Sequence, residues 1–209
     1  MSESMFPSVG TSTPSELAER MAQAQVAVPQ SAGSEFVRMN QQGKWGYGRT
    51  DTDCTGDSAV VDAGSFTHGW ITWVDRKPTR ATVPYYDAVP VKPAPIDGNE
   101  PAEQRSVKML LVDDGTMVTF DTSSYGGKSA CDTLLIAIKK RAEQGSTFLY
   151  PKIALESSSY KSKQGSTIFN PEFTIAVWLN SEGVEEGQEE LEVLDVEVEE
   201  EPAKRTRKR

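Results

Sequence analysis

The stretch from Phe148 to Leu179 is the part of the sequence that most restricts the fold. Apolar residues recur there at every second position, first as Ile153 and Leu155 and then as Phe173, Ile175 and Val177. This alternation is typical of β-strands that present one face to a core. A basic, Ser-rich segment separates the two runs. The sequence therefore predicts two strands joined by a loop that carries Tyr160, Lys161, Lys163 and Gln164.

Further strands are predicted earlier in the chain, together with one helix. A strand with a Gly-containing turn is expected from Glu35, a strand at His68–Asp75, and a hairpin from Arg105–Val112 and Thr116–Asp121 around an Asp-Asp-Gly turn. The apolar spacing of 129–143 predicts the helix, which Gly145 ends. Strands, one helix and two more strands suit a small closed or partly open β-barrel better than a parallel α/β sheet.

Prolines set the limits of the regular part of the domain. Six prolines lie between Arg76 and Pro101, a density that predicts a long surface loop over 76–104. Residues 1–34 are rich in Ser, Thr, Ala, Gln and Pro and are expected to form a flexible arm with one short helix over Ser15–Val26. We therefore expect one domain over 35–180 and an acidic tail over 181–209.

Composition and charge exclude several classes of protein. The 209 residues include no apolar run of 18 or more, and the N-terminus lacks the pattern of a secretory signal, so we expect a cytoplasmic protein. Residues 1–179 hold 20 acidic and 17 basic groups, whereas 180–203 hold 11 acidic and no basic groups. Cys54 and Cys131 lie far apart without a CxxC pattern, which favours two free thiols.

The segment Tyr125–Ser129, YGGKS, is the sharpest short match to a functional motif. A phosphate-binding P-loop requires G-x-x-x-x-G-K-[ST], but Thr122 stands at the first Gly position. The alternatives are a Gly-Gly connection in which Ser129 caps the helix, and a contact of Lys128 with a nucleic-acid phosphate. His68 is the sole histidine, so we expect no catalytic or metal-binding imidazole cluster. Asp51, Asp53 and Asp57 are interpreted as a solvated loop.

Aromatic and basic residues alternate in several predicted strands. Single-stranded nucleic acids bind to such mixtures, because bases stack on aromatic rings while Lys and Arg follow the phosphates. We expect exposure at Trp45, Tyr47, Tyr150 and Tyr160, which neighbour Gly, Lys or Ser, and burial of Trp178. The alternative for each aromatic residue is a place in the core.

The C-terminal tail combines two opposite charges. Eleven Asp or Glu residues lie between Glu182 and Glu201, and the chain then ends in KRTRKR. An anionic segment tethered to a cationic groove competes with DNA at high effective concentration. A tail that only improves solubility is the alternative.

The segments WGYG, FTHGWITW, SSYGGKSA, LYPKIAL and IFNPEFTIAVWL, followed by an acidic tail, resemble bacteriophage single-stranded DNA-binding proteins of the OB-fold kind over about residues 35–200. The resemblance implies a mainly β (α+β) fold, an OB-like small β-barrel with one inserted helix. It also implies a tail that contacts replication or recombination proteins. The positions that match in kind as DNA-binding residues are Arg38, Lys44, Trp45, Tyr47, Trp70, Trp73, Lys128, Tyr150, Lys152, Tyr160, Lys161 and Lys163.

We therefore expect a non-enzymatic protein that protects single-stranded DNA in phage replication or recombination, without a cofactor or metal. Its oligomeric state is left open. Two other functions are consistent with the sequence. One is a phage virion or assembly protein that makes protein contacts, and the other is a P-loop-like nucleotide binder.

Overall fold

The computed structural model of the protein describes residues 35–187, so the predicted arm with its short helix, and the tail beyond Gly187, lie outside the described residues. Within this range the chain forms ten β-strands and one α-helix. Their bounds are β1 Glu35–Met39, β2 Trp45–Tyr47, β3 Thr52–Asp53, β4 Ser58–Val61, β5 Thr67–Val74, β6 Lys77–Pro84, β7 Ala102–Leu111, β8 Met117–Thr122, α1 Tyr125–Glu143, β9 Tyr150–Lys161 and β10 Thr167–Leu179. The mainly β prediction is confirmed. No helix in the described range has both the length and the hydropathy needed to cross a membrane.

Strand β7 lies at the centre of the sheet. Strand β8 pairs with one of its edges, while β5 and β4 share the other edge, β5 near Ala102 and β4 near Leu111. The order is β10-β9-β4-β7-β8-β1-β2-β3, and β5 continues outward to β6. All of these pairs are antiparallel except β1 with β8. The predicted hairpin of β7 and β8 is confirmed, and its turn contains Gly115 with φ 69°.

The sheet is open, and the predicted OB-like barrel, closed or partly open, is not confirmed. Strands β10 and β3 stand at the two ends of the main strand order. The sheet is nevertheless strongly bent. The indole Nε1 of Trp45 in β2 donates to the carbonyl oxygen of Glu156 in β9 at 2.8 Å. This side-chain contact brings distant strands together around one core without a continuous ladder of backbone hydrogen bonds.

The helix begins four residues earlier than the sequence predicted. Its N-cap is Ser124, whose hydroxyl accepts a hydrogen bond from the amide of Gly127. Ser129 therefore lies inside the helix and does not cap it. Capping by Ser124 outweighs the low helix propensity of the two glycines, because the hydroxyl satisfies an amide that has no partner within the helix. The buried side of α1 includes Cys131, Leu134 and Ile138.

The predicted loop over 76–104 is wrong at both ends. Residues 77–84 form β6 despite Pro78 and Pro84, and β7 already begins at Ala102. Strand β6 tolerates its prolines because it is an edge strand that pairs with β5 alone within the described residues. Only the intervening segment is a loop.

The main core forms where the sheet bends toward the helix. It includes Met109, Leu111, Ile153 and Leu155, all less than 3 % exposed, together with both cysteines. The cysteines are free, as predicted. Burial raises the pKa of each thiol to about 12, which keeps both in the unreactive protonated form.

Candidate nucleic-acid interface

Two of the aromatic residues predicted to be exposed are part of the core. Trp45 is 1 % exposed and packs its ring 5.4 Å from that of Phe120 and 5.7 Å from that of Phe173. Tyr150 is 3 % exposed, and burial raises its pKa to about 12. Neither ring can stack on a base without unfolding. Exposure was predicted from the neighbouring glycine and lysine. The prediction was wrong because burial depends on strands that are distant in sequence.

Tyr47 and Lys44 lie near the β2 end of the sheet. Tyr47 is half-buried, and its hydroxyl donates to the Asp114 carboxylate. That hydrogen bond raises the pKa of Tyr47 to about 12. Lys44 is exposed. Tyr47 therefore holds the β7–β8 turn in place and offers little free ring surface.

Lys128 is held by an ion-pair network beneath the start of α1. Its Nζ lies 2.7 Å from Glu103 Oε2, and Glu103 Oε1 accepts from Arg105 at 2.8 Å. Arg105 Nε in turn donates to Asp132 on the helix at 3.0 Å. The network joins α1 to β7. Because Gly126 and Gly127 lie in the first helical turn instead of a preceding loop, the segment does not have the shape of a P-loop.

We expect the stability of the Glu103→Gln variant to change less with pH in the acidic range than that of the wild type. The hydrogen bond from Lys128, with that from Arg105, lowers the pKa of Glu103 below its ordinary value of 4.5 against a smaller effect of burial. A lowered folded-state pKa stabilises the protein above the unfolded pKa, and this contribution is lost as pH falls below about 4.5 through the folded value. Urea midpoints of the wild type and the variant, measured between neutral and acidic pH, should converge on acidification.

A parallel pH dependence in the two proteins would contradict this assignment. Lys139→Gln is the matched control, because Lys139 pairs with Glu143 on the exposed side of α1 at 3.8 Å. Exposed pairs of this kind contribute little to stability. The control should therefore leave the profile unchanged.

Lys152 is paired with an acidic residue at the start of the tail segment. Its Nζ lies 3.1 Å from Glu185 Oε1, and the neighbouring Glu186 pairs with Arg141, whose guanidinium lies 4.6 Å above the ring of Trp178. Residues 180–187 fold back on β10 through the Leu179–Glu185 bridge. Trp178 was predicted to be buried and is half-buried in this arrangement.

Tyr160, Lys161 and Lys163 form an exposed group at the tip of the β9–β10 hairpin. Tyr160 is 52 % exposed, and Lys161 Nζ donates to Thr167 at 2.6 Å across the hairpin. Both lysines are exposed. At this tip, three of the predicted DNA-binding residues, an aromatic ring and two lysines, lie close together both in sequence and in space.

The two tryptophans of β5 have different surroundings, because their spacing of three residues places them on opposite faces of the strand. Trp70 is half-buried and donates from Nε1 to the carbonyl oxygen of Pro90, with Lys92 5.8 Å from the ring centroid. Trp73 is 53 % exposed and lines a cleft on the other face. Trp70 therefore fastens the proline-rich loop to the sheet, and Trp73 is available to solvent.

Strand register places an exposed aromatic surface on the face of the sheet opposite the core. Ile71 in β5 is paired with Arg80 in β6 and with Ala102 in β7. Farther along β7, Ser106 is paired with Asp121 in β8. The parallel pair of Thr119 in β8 with Phe36 extends the row to β1. Directly paired residues share a face, and every second residue does so along a strand. Phe36, Arg38, Trp73, Arg80, Gln104 and Asp121 therefore share this surface, which we call the outer face.

The outer face is concave. Arg80 in β6 donates to Asp121 in β8 at 2.7 Å, and its guanidinium lies 5.9 Å from the ring centroid of Phe36 in β1. Four interstrand spacings of about 4.8 Å separate β6 from β1, which exceeds the length of an Arg side chain. The β5–β6 hairpin must therefore bend over the face. A cleft of about 250 Å³ lies between these strands, lined by residues that include Phe36, Trp73 and Gln104.

Arg38 and Trp73 on this face were predicted from the sequence as DNA-binding residues, whereas Phe36, Arg80 and Gln104 were not. Phe36 and Arg38 alternate along β1, and Ile71 and Trp73 along β5, so each local face was detectable. The pairing that joins β6, β5, β7, β8 and β1 was not detectable, because it joins segments far apart in sequence. Arg38 lies farther along β1 and pairs with Asp51 at 3.1 Å.

The histidine has a structural role. His68 is buried, its Nε2 lies 2.9 Å from the Asp87 carbonyl oxygen, and its ring packs on Tyr85. His68 therefore fastens β5 to the segment that follows β6. In residues 35–187, no three His, Cys, Asp or Glu side chains are grouped closely enough to hold a metal ion.

Comparisons with known proteins found no match to this sequence or structure. No protein-family model matches the sequence, and neither the curated proteins nor the solved structures give a match.

Proposed function

We propose that this protein binds single-stranded DNA, in the manner of phage proteins that protect DNA in the host cytoplasm during replication or recombination. The observation that carries the proposal is the concave outer face, where Phe36 and Trp73 are 48 % and 53 % exposed beside Arg80. Large exposed aromatic rings in a concave surface mark binding sites. Stacking on such rings is a main source of affinity for single strands. The proposed binding of DNA requires only this curved face and does not require the sheet to close into a barrel.

The β9–β10 tip supplies a second region of contact in this proposal. Strands β7 and β9 both run antiparallel to β4, so their C-terminal ends point the same way, whereas β5 runs opposite to β7. The tip with Lys161 and Lys163 therefore lies at the end of the sheet away from Trp73. We propose that the outer face stacks bases and that the tip attracts phosphates.

We expect a labelled dT oligomer of about 16 nucleotides to bind the protein with an affinity that falls steeply as salt rises. Replacing both Lys161 and Lys163 with Ala should reduce the slope of log K against log salt by about 1 to 2, because each lysine lost removes about one phosphate contact. Fluorescence anisotropy at several salt concentrations measures both effects. Lys139→Ala, a helix lysine away from the tip, is the matched control.

No binding by the wild type at low salt would eliminate the proposed function. Binding with an unchanged salt slope in the double variant would remove only the role of the hairpin tip. Lys128 and Lys152 are expected to contribute less, because Glu103 and Glu185 already neutralise them.

A role in assembly is the second candidate function, and edge strand β10 favours it. The strand is 13 residues long and pairs with β9 alone within the described residues, apart from the bridge near its end. An open edge of this length can accept a strand from another chain. Higher-order complexes in sedimentation experiments, together with no DNA affinity, would support assembly over DNA binding.

A further inference from the structure

We propose that the cleft between Phe36 and Trp73 is a binding site for a single nucleobase, with Gln104 in its wall as the group that contacts the edge of the base. This proposal rests on the proposed binding of single-stranded DNA and names where one base of that strand is held. The cleft measures about 250 Å³ and crosses strands β6, β5, β7, β8 and β1.

The rings of the cleft are placed for stacking. Phe36 and Trp73 stand at different strands on the same concave face, and about half of each side chain is exposed. Ile71, which is 4 % exposed, also lines the cleft. An aromatic ring with one free face and an apolar surface beside it receives another planar ring without rearrangement.

The charge of the cleft favours a neutral ring over a phosphate. Arg80 is its cation, and Asp121 is bound to that cation at 2.7 Å, with side-chain exposures of 22 % and 17 %. The pair has no net charge, and the carboxylate would repel a phosphate placed next to the guanidinium. A base carries no charge at neutral pH. The Arg80 guanidinium also packs against Phe36, which keeps that ring in position.

Gln104 supports the base site independently of the two aromatic rings. It is 4 % exposed, and its Oε1 is buried without a hydrogen-bond partner among the residues that the structure describes. A buried polar atom without a partner costs about 1 to 3 kcal/mol, so such atoms are rare outside functional sites. Every nucleobase carries an N–H donor on its pairing edge, and the Gln104 amide, once rotated toward the cleft, would offer its oxygen to that donor.

The test compares oligomers that differ only in their bases. The wild type, Trp73→Ala, Phe36→Ala and Gln104→Leu are titrated with labelled dT of about 16 nucleotides and with an abasic oligomer of equal length. We expect the wild type to bind dT at least about fivefold more tightly than the abasic strand, since one stacked base contributes about that factor or more. Trp73→Ala and Phe36→Ala should each lower dT affinity about fivefold and leave abasic binding unchanged.

Two further variants complete the design. Gln104→Leu should weaken dT binding about fivefold without lowering the urea midpoint, because an apolar side chain relieves the partnerless oxygen. Tyr125→Ala is the matched control, since Tyr125 is 88 % exposed on α1 and does not line this cleft. It should bind both oligomers as the wild type does.

Two outcomes overturn the proposal, and they differ from each other. If the wild type binds dT but Trp73→Ala and Phe36→Ala bind it equally well, neither the cleft nor these rings hold a base, while the proposed binding of single-stranded DNA stands. If the wild type binds neither oligomer at low salt, the proposed function and the base site are both wrong.

Discussion

Replacing Trp45 with Ala is expected to lower the free energy of unfolding by about 3 to 5 kcal/mol. The ring is 1 % exposed and packs against Phe120 and Phe173. Its removal leaves a cavity at the point where β2 meets β9 and β10, and the carbonyl oxygen of Glu156 loses its donor. A urea titration followed by circular dichroism should show a lower midpoint with an unchanged slope.

Trp73→Ala is the matched control, because the chain offers the same residue at an exposed position. Its free energy of unfolding should change by less than about 0.5 kcal/mol. Equal destabilisation by the two variants would contradict the division into a core tryptophan and a surface tryptophan. Trp45→Phe should fall between them, since it keeps most of the packing and loses the hydrogen bond.

Replacing Gly69 with Ala is expected to destabilise the protein by about 2 to 4 kcal/mol. Gly69 has φ 147°, in a region that L side chains rarely adopt, and lies in β5 between Thr82 of β6 and Gln104 of β7. A Cβ there would overlap the carbonyl oxygen of Ala81 and stand 2.8 Å from the Cα of Thr82. Since both are backbone atoms, β6 would have to move away from β5. Thermal or urea unfolding measures the loss.

Gly98→Ala separates steric overlap from conformational strain. Gly98 also has positive φ, 77°, but a Cβ on it would meet no atom within 4 Å. We expect it to cost only about 1 kcal/mol. If the two glycine variants were equally unstable, the close packing of β5 on β6 would not be the cause. Displacement of β6 would also move Arg80, so Gly69→Ala should weaken base binding in the cleft.

The division between surface and core explains why only part of the candidate site could be predicted from the sequence. Aromatic residues next to glycine and lysine look suited to an exposed binding surface, yet Trp45 and Tyr150 fill the core. In contrast, Phe36 and Gln104 carry no local pattern typical of nucleic-acid binding. Their proximity depends on β1 lying parallel to β8 and on β5 lying beside β7.

Some of the proposed DNA contacts could be predicted from the sequence, and others could not. The group formed by Tyr160, Lys161 and Lys163 was visible in the sequence, because a hairpin keeps neighbours in sequence close in space. Lys128 and Lys152 were also visible as cations, but their partners Glu103 and Glu185 lie 25 and 33 residues away. The sequence could not show that these two charges are already neutralised.

The sequence by itself determined the strand-rich class, the β7–β8 hairpin with its Asp-Asp-Gly turn, the paired strands β9 and β10, and helix α1. These features arise from alternation, turn chemistry and capping, which act between residues close in the chain. Only the tertiary structure decided the open, bent sheet, the burial of Trp45 and the outer cleft. Each depends on contacts between distant segments, as when Trp45 bonds to Glu156, 111 residues away. Which face of a strand becomes core is settled by the strands that pair beside it.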